Sequence, residues 1–226
     1  LHFTLRDLNI PKPCTEFKLS YNNLEIDQYL ENNNPPSRLR AYARYNIDVI
    51  DTETLSLQYV MDPTFKQNVT DIRGEERIFK PIEYRFIYSD FITSLLCQGV
   101  NLLLLRNENI KTINASVHQV RNICYPYKPS TNSPEGIHRD GSDYIISALV
   151  VSKNNITGGI STIKDYNQND EYSTILQENE GIFQEDRELW HYITPFTSTN
   201  NNYLGYRDII GIDFDINYHK FNNCNN

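Results

Sequence analysis

The sequence predicts an α+β protein: a helical region first, then a run of short strands that build a β-sandwich or barrel. Three observations carry this. Between Tyr84 and Leu105 the apolar residues Phe86, Phe91, Leu95 and Leu96 fall at helical spacing. From about residue 111 the pattern switches to period two, with short runs rich in Ile, Val and Tyr separated by turn residues. Aromatic residues make up 12% of the 226, too many for a disordered chain, and that length suffices to bury a sizeable core.

Taken in order, residues 1–37 read as an N-terminal extension of mixed elements, ending in the loop Glu31-Asn-Asn-Asn-Pro-Pro36. Arg38–Val49 alternates in character and reads as a strand, whereas 62–82 look irregular and charged. After the helix, the candidate strands are Thr112–Tyr125, Asp143–Val151, Gly159–Ile163, Thr174–Gln177, Gly181–Gln184, Leu189–Phe196 and Arg207–Asp215. Gly158-Gly159 suits a tight turn, not a phosphate cradle, because no helix start follows. Glu185-Asp186 suggests a tight hairpin. With no internal repeat, 1–226 reads as one domain whose strand core occupies 111–215.

The charge balance narrows the function. The net charge is −8 and the pI about 5.1. Arg38, Arg40 and Arg44 form the one concentrated basic stretch, too small for a phosphate-tracking surface, so no nucleic-acid partner is expected. No apolar run reaches the roughly 20 residues of a membrane span. The sequons at Asn68, Asn114 and Asn155 carry little weight in an Asn-rich chain. Cys14, Cys97, Cys124 and Cys224 form no CxxC pair, and the start shows no signal-peptide pattern. The expectation is a cytoplasmic protein with reduced thiols.

Five histidines exist, and two occupy informative places. His138 and Asp140 form an HxD pair within Pro134-Glu-Gly-Ile-His-Arg-Asp-Gly141. On extended backbone, residues i and i+2 point to one side, so imidazole and carboxylate can converge on one metal ion. His191 follows in Leu189-Trp-His-Tyr-Ile-Thr-Pro195, and Arg207 opens the last strand. Two His and one carboxylate make the facial triad of non-heme Fe(II) oxygenases. Such a triad leaves three adjacent metal positions, two for a 2-oxo acid and one for O2. The far carboxylate of 2-oxoglutarate then needs a cation, and the planar fork of Arg207 suits it. Each part alone has a plainer explanation: HxD as a salt-bridged turn, His191 as a packed core histidine, Arg207 in an ion pair with Asp208. Their order on successive strands favours the metal site.

The segments RLRAYARY (38–45), VHQVR (117–121), EGIHRDG (135–141), ITGGIST (156–162), LWHYITPF (189–196) and YRDIIGIDF (206–214) together resemble the bacterial 2OG-Fe dioxygenase family, which includes free-amino-acid hydroxylases. The resemblance spans about residues 38–215. It implies a double-stranded β-helix (a jelly roll, cupin-like) flanked by N-terminal helices. It further implies Fe(II) held by His138, Asp140 and His191, 2-oxoglutarate as cosubstrate anchored by Arg207, and hydroxylation of an aliphatic L-amino acid with release of succinate and CO2. Many 2-oxoglutarate enzymes carry Ser or Thr two residues after the anchoring Arg. Here that residue is Ile209, so another donor must serve.

Period two on His118–Tyr125 places Gln119, Arg121 and Tyr125 on one face. Read as the inward face, it offers Arg121 to a substrate carboxylate and Gln119 or Tyr125 to 2-oxoglutarate, with His118 facing away. The plainer alternative for Arg121 is a structural ion pair. Arg40 and Arg44 are reserve substrate cations, or else part of a solvated basic edge. His2 and His219 read as surface residues. Two rival functions stay open: a 2-oxoglutarate hydroxylase of a peptide or protein side chain, and a non-catalytic jelly-roll binding protein. The oligomeric state is open.

Overall fold

In a computed structural model, the structure describes all residues except 31–33, 52–53, 70–73, 132 and 218–226. Part of the loop at 31–36, together with His219 and Cys224, therefore lies outside the described residues. The chain opens with strand β1 (His2–Thr4), helix α1 (Thr15–Ser20) and strand β2 (Glu25–Ile26). The long β3 (Arg38–Val49) turns back into β4 (Leu55–Val60), and two short strands, β5 (Thr64–Phe65) and β6 (Arg77–Ile78), form a small hairpin. Helices α2 (Tyr84–Ile87) and α3 (Asp90–Leu104) precede β7 (Thr112–Cys124) and β8 (Tyr144–Asn154). Then come β9 (Ile156–Gly158), β10 (Ser161–Lys164), β11 (Asp170–Thr174), β12 (Glu180–Glu185), β13 (Trp190–Ile193), β14 (Phe196–Ser198) and β15 (Gly205–Ile216).

One large antiparallel sheet runs β1-β12-β8-β15-β7-β3-β2, with β4 beside β3; a small sheet β11-β10-β13 and the pair β14-β9 complete the strand layers. The alternation along β15 shows how the layers divide. Ile210, Ile212 and Phe214 join the main core, which also holds Phe17 of α1 and Leu95, Leu96 and Val100 of α3. Ile209, on the opposite face, packs instead with Val120, Ala148, Val150 and Ile163, inside the barrel. The large sheet is thus buried on both faces, by helices outside and by the small sheets inside. A Cβ at Gly99 would lie 2.4 Å from the Phe214 ring, so glycine there lets α3 lie close on the sheet.

Several elements differ from their sequence readings. The helix at 84–105 is two helices, broken at Tyr88-Ser89, where Ser89 caps α3 by accepting from the Ile92 N–H at 3.4 Å. The strand at Leu189–Phe196 is also two, with Pro195, which has no N–H to donate, in the gap. The strand near 174–177 lies earlier, at Asp170–Thr174, where β10 pairs with it. Glu185-Asp186 is not a hairpin: β12 pairs with β8 and β13 with β10, so this segment crosses between sheets. The N-terminal extension is part of the large sheet, since β1 adds to β12 and β2 to β3. Among the described residues no helix is long and apolar enough to cross a membrane.

Candidate active site

His138 and His191 face each other across an isolated antiparallel bridge, exchanging backbone hydrogen bonds of 3.0 and 2.9 Å. Their ring centroids are 4.2 Å apart. Asp140 approaches both, with 3.7 Å from its Oδ1 to His138 Nε2 and 3.4 Å from its Oδ2 to His191 Nε2. One ligand atom from each residue lies within 4.8 Å of the other two. His138 Nδ1 lies 2.9 Å from the Gly136 carbonyl, which can only accept, so Nδ1 donates and Nε2, 3.2 Å from Glu135 Oε1, is the atom that would face a metal.

The surroundings hold this geometry. Gln67 Nε2 donates to Asp140 at 2.9 Å, and the Gln67 carbonyl accepts from Arg77. Gly141 turns at φ +87°, and its N–H donates to the buried Asp186 at 2.7 Å. Burial first, and then the neighbouring Asp140 charge, push the Asp186 carboxyl up to about 7. Burial and Asp140 also hold the Asp213 carboxyl well above the usual range. The Asp140 carboxylate beside two imidazoles forms the donor set that a divalent cation would complete, with the buried Asp186 carboxyl behind it, 3.7 Å from His191 Nδ1.

The triad lines a cavity of about 490 Å³, within the usual size of small-molecule sites. Its walls include Arg38, Arg40, Phe65, Gln67, Arg77, His118, Val120, Ile209, Gly211 and Asp213. One inward step along β15 from Ile209, roughly 7 Å, stands Arg207. It is 2% exposed, and both terminal guanidinium nitrogens lack a partner. Burial lowers its pKa to about 10, so it stays charged at neutral pH. Arg207 lies outside the lining of the large cavity and borders a second one of about 140 Å³ with Lys153, Gly158, Gly159 and Leu176. Asn122 is its cross-strand partner on β7, fully buried, with both amide atoms unpartnered. Buried donors of this kind are rare unless a ligand satisfies them. Arg207 and Asn122 together fit the distal carboxylate of a 2-oxo dicarboxylic acid.

Four candidates from the sequence stand elsewhere. Strand β7 presents His118 and Val120 to the cavity, so the inward face is the opposite one from that read in the sequence. Gln119 donates to Ser20 Oγ at 2.8 Å, on the helix side of the sheet. Arg121 clasps Asp208 through Nε and Nη2 at 2.6 and 2.8 Å and donates to Asn22. Tyr125 donates to the Pro36 carbonyl and lines neither cavity. Arg44 pairs with Asp62 at the half-exposed edge of β3. Arg40 does line the cavity. Sequence reasoning missed Asn122, Gln67, Arg77, Asp186 and Asp213. Asn122 was within reach, because it and Arg207 would share a face once the parity of β7 was read the other way.

Arg121→Ala is expected to act on stability alone. It leaves Asp208, 0% exposed, as an uncompensated buried charge, a loss of about 3 kcal/mol. Chemical denaturation should show that drop while 2-oxoglutarate affinity stays at the wild-type value; a stability-neutral variant that loses substrate binding would return Arg121 to the site.

A jelly-roll barrel with a His-Asp-His cluster and a buried, unpartnered arginine has the groups that an Fe(II) site working with a 2-oxo acid needs. The family model of the 2OG-Fe dioxygenases matches residues 18–213. The chain belongs to this family and is an Fe(II)- and 2-oxoglutarate-dependent dioxygenase that uses O2. It is 26% identical over 207 residues to the L-isoleucine-4-hydroxylase of Bacillus thuringiensis, covering 88% of this chain and 82% of that one. It is 22% identical to the 3(1)-hydroxy-L-isoleucine 4-dioxygenase of Pantoea ananatis, over 91% of this chain and 82% of the relative. The fold matches the crystal structure of a bsmA homologue from Methylobium petroleophilum with a TM-score of 0.76 at 20% identity, over 88% of this chain and 79% of that one.

Proposed function

We propose that the protein hydroxylates a free aliphatic L-amino acid, with His138, Asp140 and His191 as the iron ligands and Arg207 as the 2-oxoglutarate anchor. When bound, iron and 2-oxoglutarate supply the oxidising chemistry: oxidative decarboxylation to succinate and CO2 coupled to oxygen insertion into a substrate C–H bond. The protein's own residues bind, orient and exclude water. The three triad side chains line the cavity, so a metal they held would be reached from it. Val120 and Ile209, two residues along β7 and β15 from Asn122 and Arg207, supply an apolar part of the cavity lining. Asn122 is the second donor to the distal carboxylate, in place of the hydroxyl that Ile209 cannot supply.

The observation that carries the substrate reading is Arg40. It lines the triad's cavity from β3 with its side chain 12% exposed; Nη1 is 3.9 Å from Asp27, a long pair that Asp27 shares with Arg38, and Nε lacks a partner. A cation so placed suits the α-carboxylate of a small substrate, which cannot be buried alone. Phe65, Val120, Ile146 and Ile193 in the same walls suit an aliphatic side chain. The names of the two curated relatives point the same way. The test is incubation with Fe(II), 2-oxoglutarate, O2 and a pool of aliphatic L-amino acids, read by mass spectrometry. A product one oxygen heavier than one member of the pool is expected. Succinate formed equally with and without the pool would turn the reading toward a peptide or protein side chain.

Asn122→Leu keeps the volume and removes the amide. Loss of one hydrogen bond to a charged group should weaken 2-oxoglutarate binding about 10- to 100-fold in anaerobic titration. Asn122→Asp, which adds a like charge, should weaken it further. Wild-type affinity in both variants would remove Asn122 from the cosubstrate site.

A further inference from the structure

On the cavity wall formed by β7 and β15, His118 and Asp213 form a buried pair that the dioxygenase chemistry does not use. Both are more than nine-tenths buried, at 6% and 7% exposure. Arg40 Nη2 lies 2.7 Å from His118 Nδ1. A guanidinium only donates, so Nδ1 is the acceptor and carries no proton. The ring proton is therefore on Nε2, which donates to Asp213 Oδ2 at 3.0 Å. Burial first, then Arg40 and Arg77, hold the His118 pKa well below its usual value, in agreement with a neutral ring. The second carboxylate oxygen of Asp213 has no hydrogen-bond partner among the described residues, and Asp213 lines the cavity.

This leaves the wall with a cation and a carboxyl on either side of a neutral imidazole. Arg40 presents a cation from β3, and Asp213 presents from β15 a buried carboxyl, held above the usual range, that the arrival of a cation would ionise. A buried carboxylate whose single partner is a neutral donor calls for a cation. Arg40 does not provide it directly, because His118 stands between them. The spacing of one cation and one anion across an imidazole suits a zwitterion, whose own charges are separated by a single carbon.

We propose that Asp213, fixed by His118, receives the α-ammonium of the substrate, so that the site selects amino acids with an unblocked amine. The assignment rests on the free-amino-acid reading above and deepens it. Asp213 is a specificity residue in this account, and His118 positions it. A chain-internal residue of a peptide, which has an amide in place of the ammonium, offers no cation to Asp213 and is rejected.

The experiment is anaerobic isothermal titration of the Fe(II)- and 2-oxoglutarate-loaded enzyme with three probes: L-isoleucine, N-acetyl-L-isoleucine and the des-amino acid 3-methylpentanoic acid. Wild type is expected to bind L-isoleucine about 30-fold or more tightly than either analogue, the size of a lost buried charge pair. Asp213→Asn keeps the shape and still accepts from His118, and it should reduce that preference to a few-fold. Asp213→Ser, smaller but still an acceptor, gives the same reading if the Asn variant does not fold. A preference kept intact in both variants overturns the role of Asp213 while leaving the amino-acid reading in place. Equal binding of the acetylated probe by wild type overturns the selection for a free amine. Absence of binding by L-isoleucine and by a panel of other free amino acids overturns both.

Discussion

Alanine at His138, Asp140 or His191 is expected to abolish turnover and metal binding while the protein stays folded. The three ligand atoms lie within 4.8 Å of one another, and a facial site reduced to two protein ligands loses most of its hold on Fe(II). The fold does not depend on the cluster. Asp140 is half-buried at the cavity wall, and its charge is one of those that push the Asp186 and Asp213 carboxyls up. Removing it relieves repulsion in the metal-free protein. A divalent ion that binds only the native state raises the melting temperature by linkage. Wild type should therefore show a metal-dependent upward shift that Asp140→Ala lacks, with metal-free melting near that of wild type. Wild-type turnover in Asp140→Ala would place the metal elsewhere.

The second large effect is expected at Arg207. Arg207→Lys keeps the charge and loses the planar fork. Both terminal nitrogens of Arg207 are buried without partners, and at 2% exposure a lysine there gains little from solvent. Losing a bidentate, charge-assisted pair costs on the order of 2–4 kcal/mol. The 2-oxoglutarate KM should rise accordingly, with a smaller change in the amino-acid KM. Asn122, directly across from Arg207 on β7, should retain part of the affinity, so Arg207→Lys combined with Asn122→Leu is expected to be non-additive. Unchanged cosubstrate affinity in Arg207→Lys would move the anchor to another residue, with Lys153 at the same small cavity the next to examine.

The convergence of His138, Asp140 and His191 was legible because much of its geometry is local. The HxD pair needs two residues of extended backbone, and His191 sits on a strand whose backbone pairs with His138. Most strands were legible for the same reason. The orientation of β7 was not. The alternation is little help when seven of the eight positions from Ile113 to Val120 are buried, on the helix side as well as the barrel side. Period two then says which residues share a face and not which face looks inward. The pattern alone therefore allows Arg121 and Gln119 to face the cavity, and only their contacts with Asp208 and Ser20 reveal the helix side. The contribution of residues 62–82 was hidden differently. Phe65, Gln67 and Arg77 reach the cavity from a short hairpin and its loop, positions that tertiary packing creates and no periodicity announces. Asp213 was plain in the sequence as a strand residue, but its meaning depends on His118 and Arg40, brought beside it from two other strands.

The coupling of cosubstrate to substrate tests the account most directly. Succinate and hydroxylated product are to be quantified together, with Fe(II), 2-oxoglutarate and O2 present, as single aliphatic L-amino acids are added. The account predicts one amino acid for which succinate formation rises steeply and matches the product, one oxygen heavier, in near one-to-one ratio. Succinate formation that no free amino acid changes, or that rises without an oxygenated product, would contradict it.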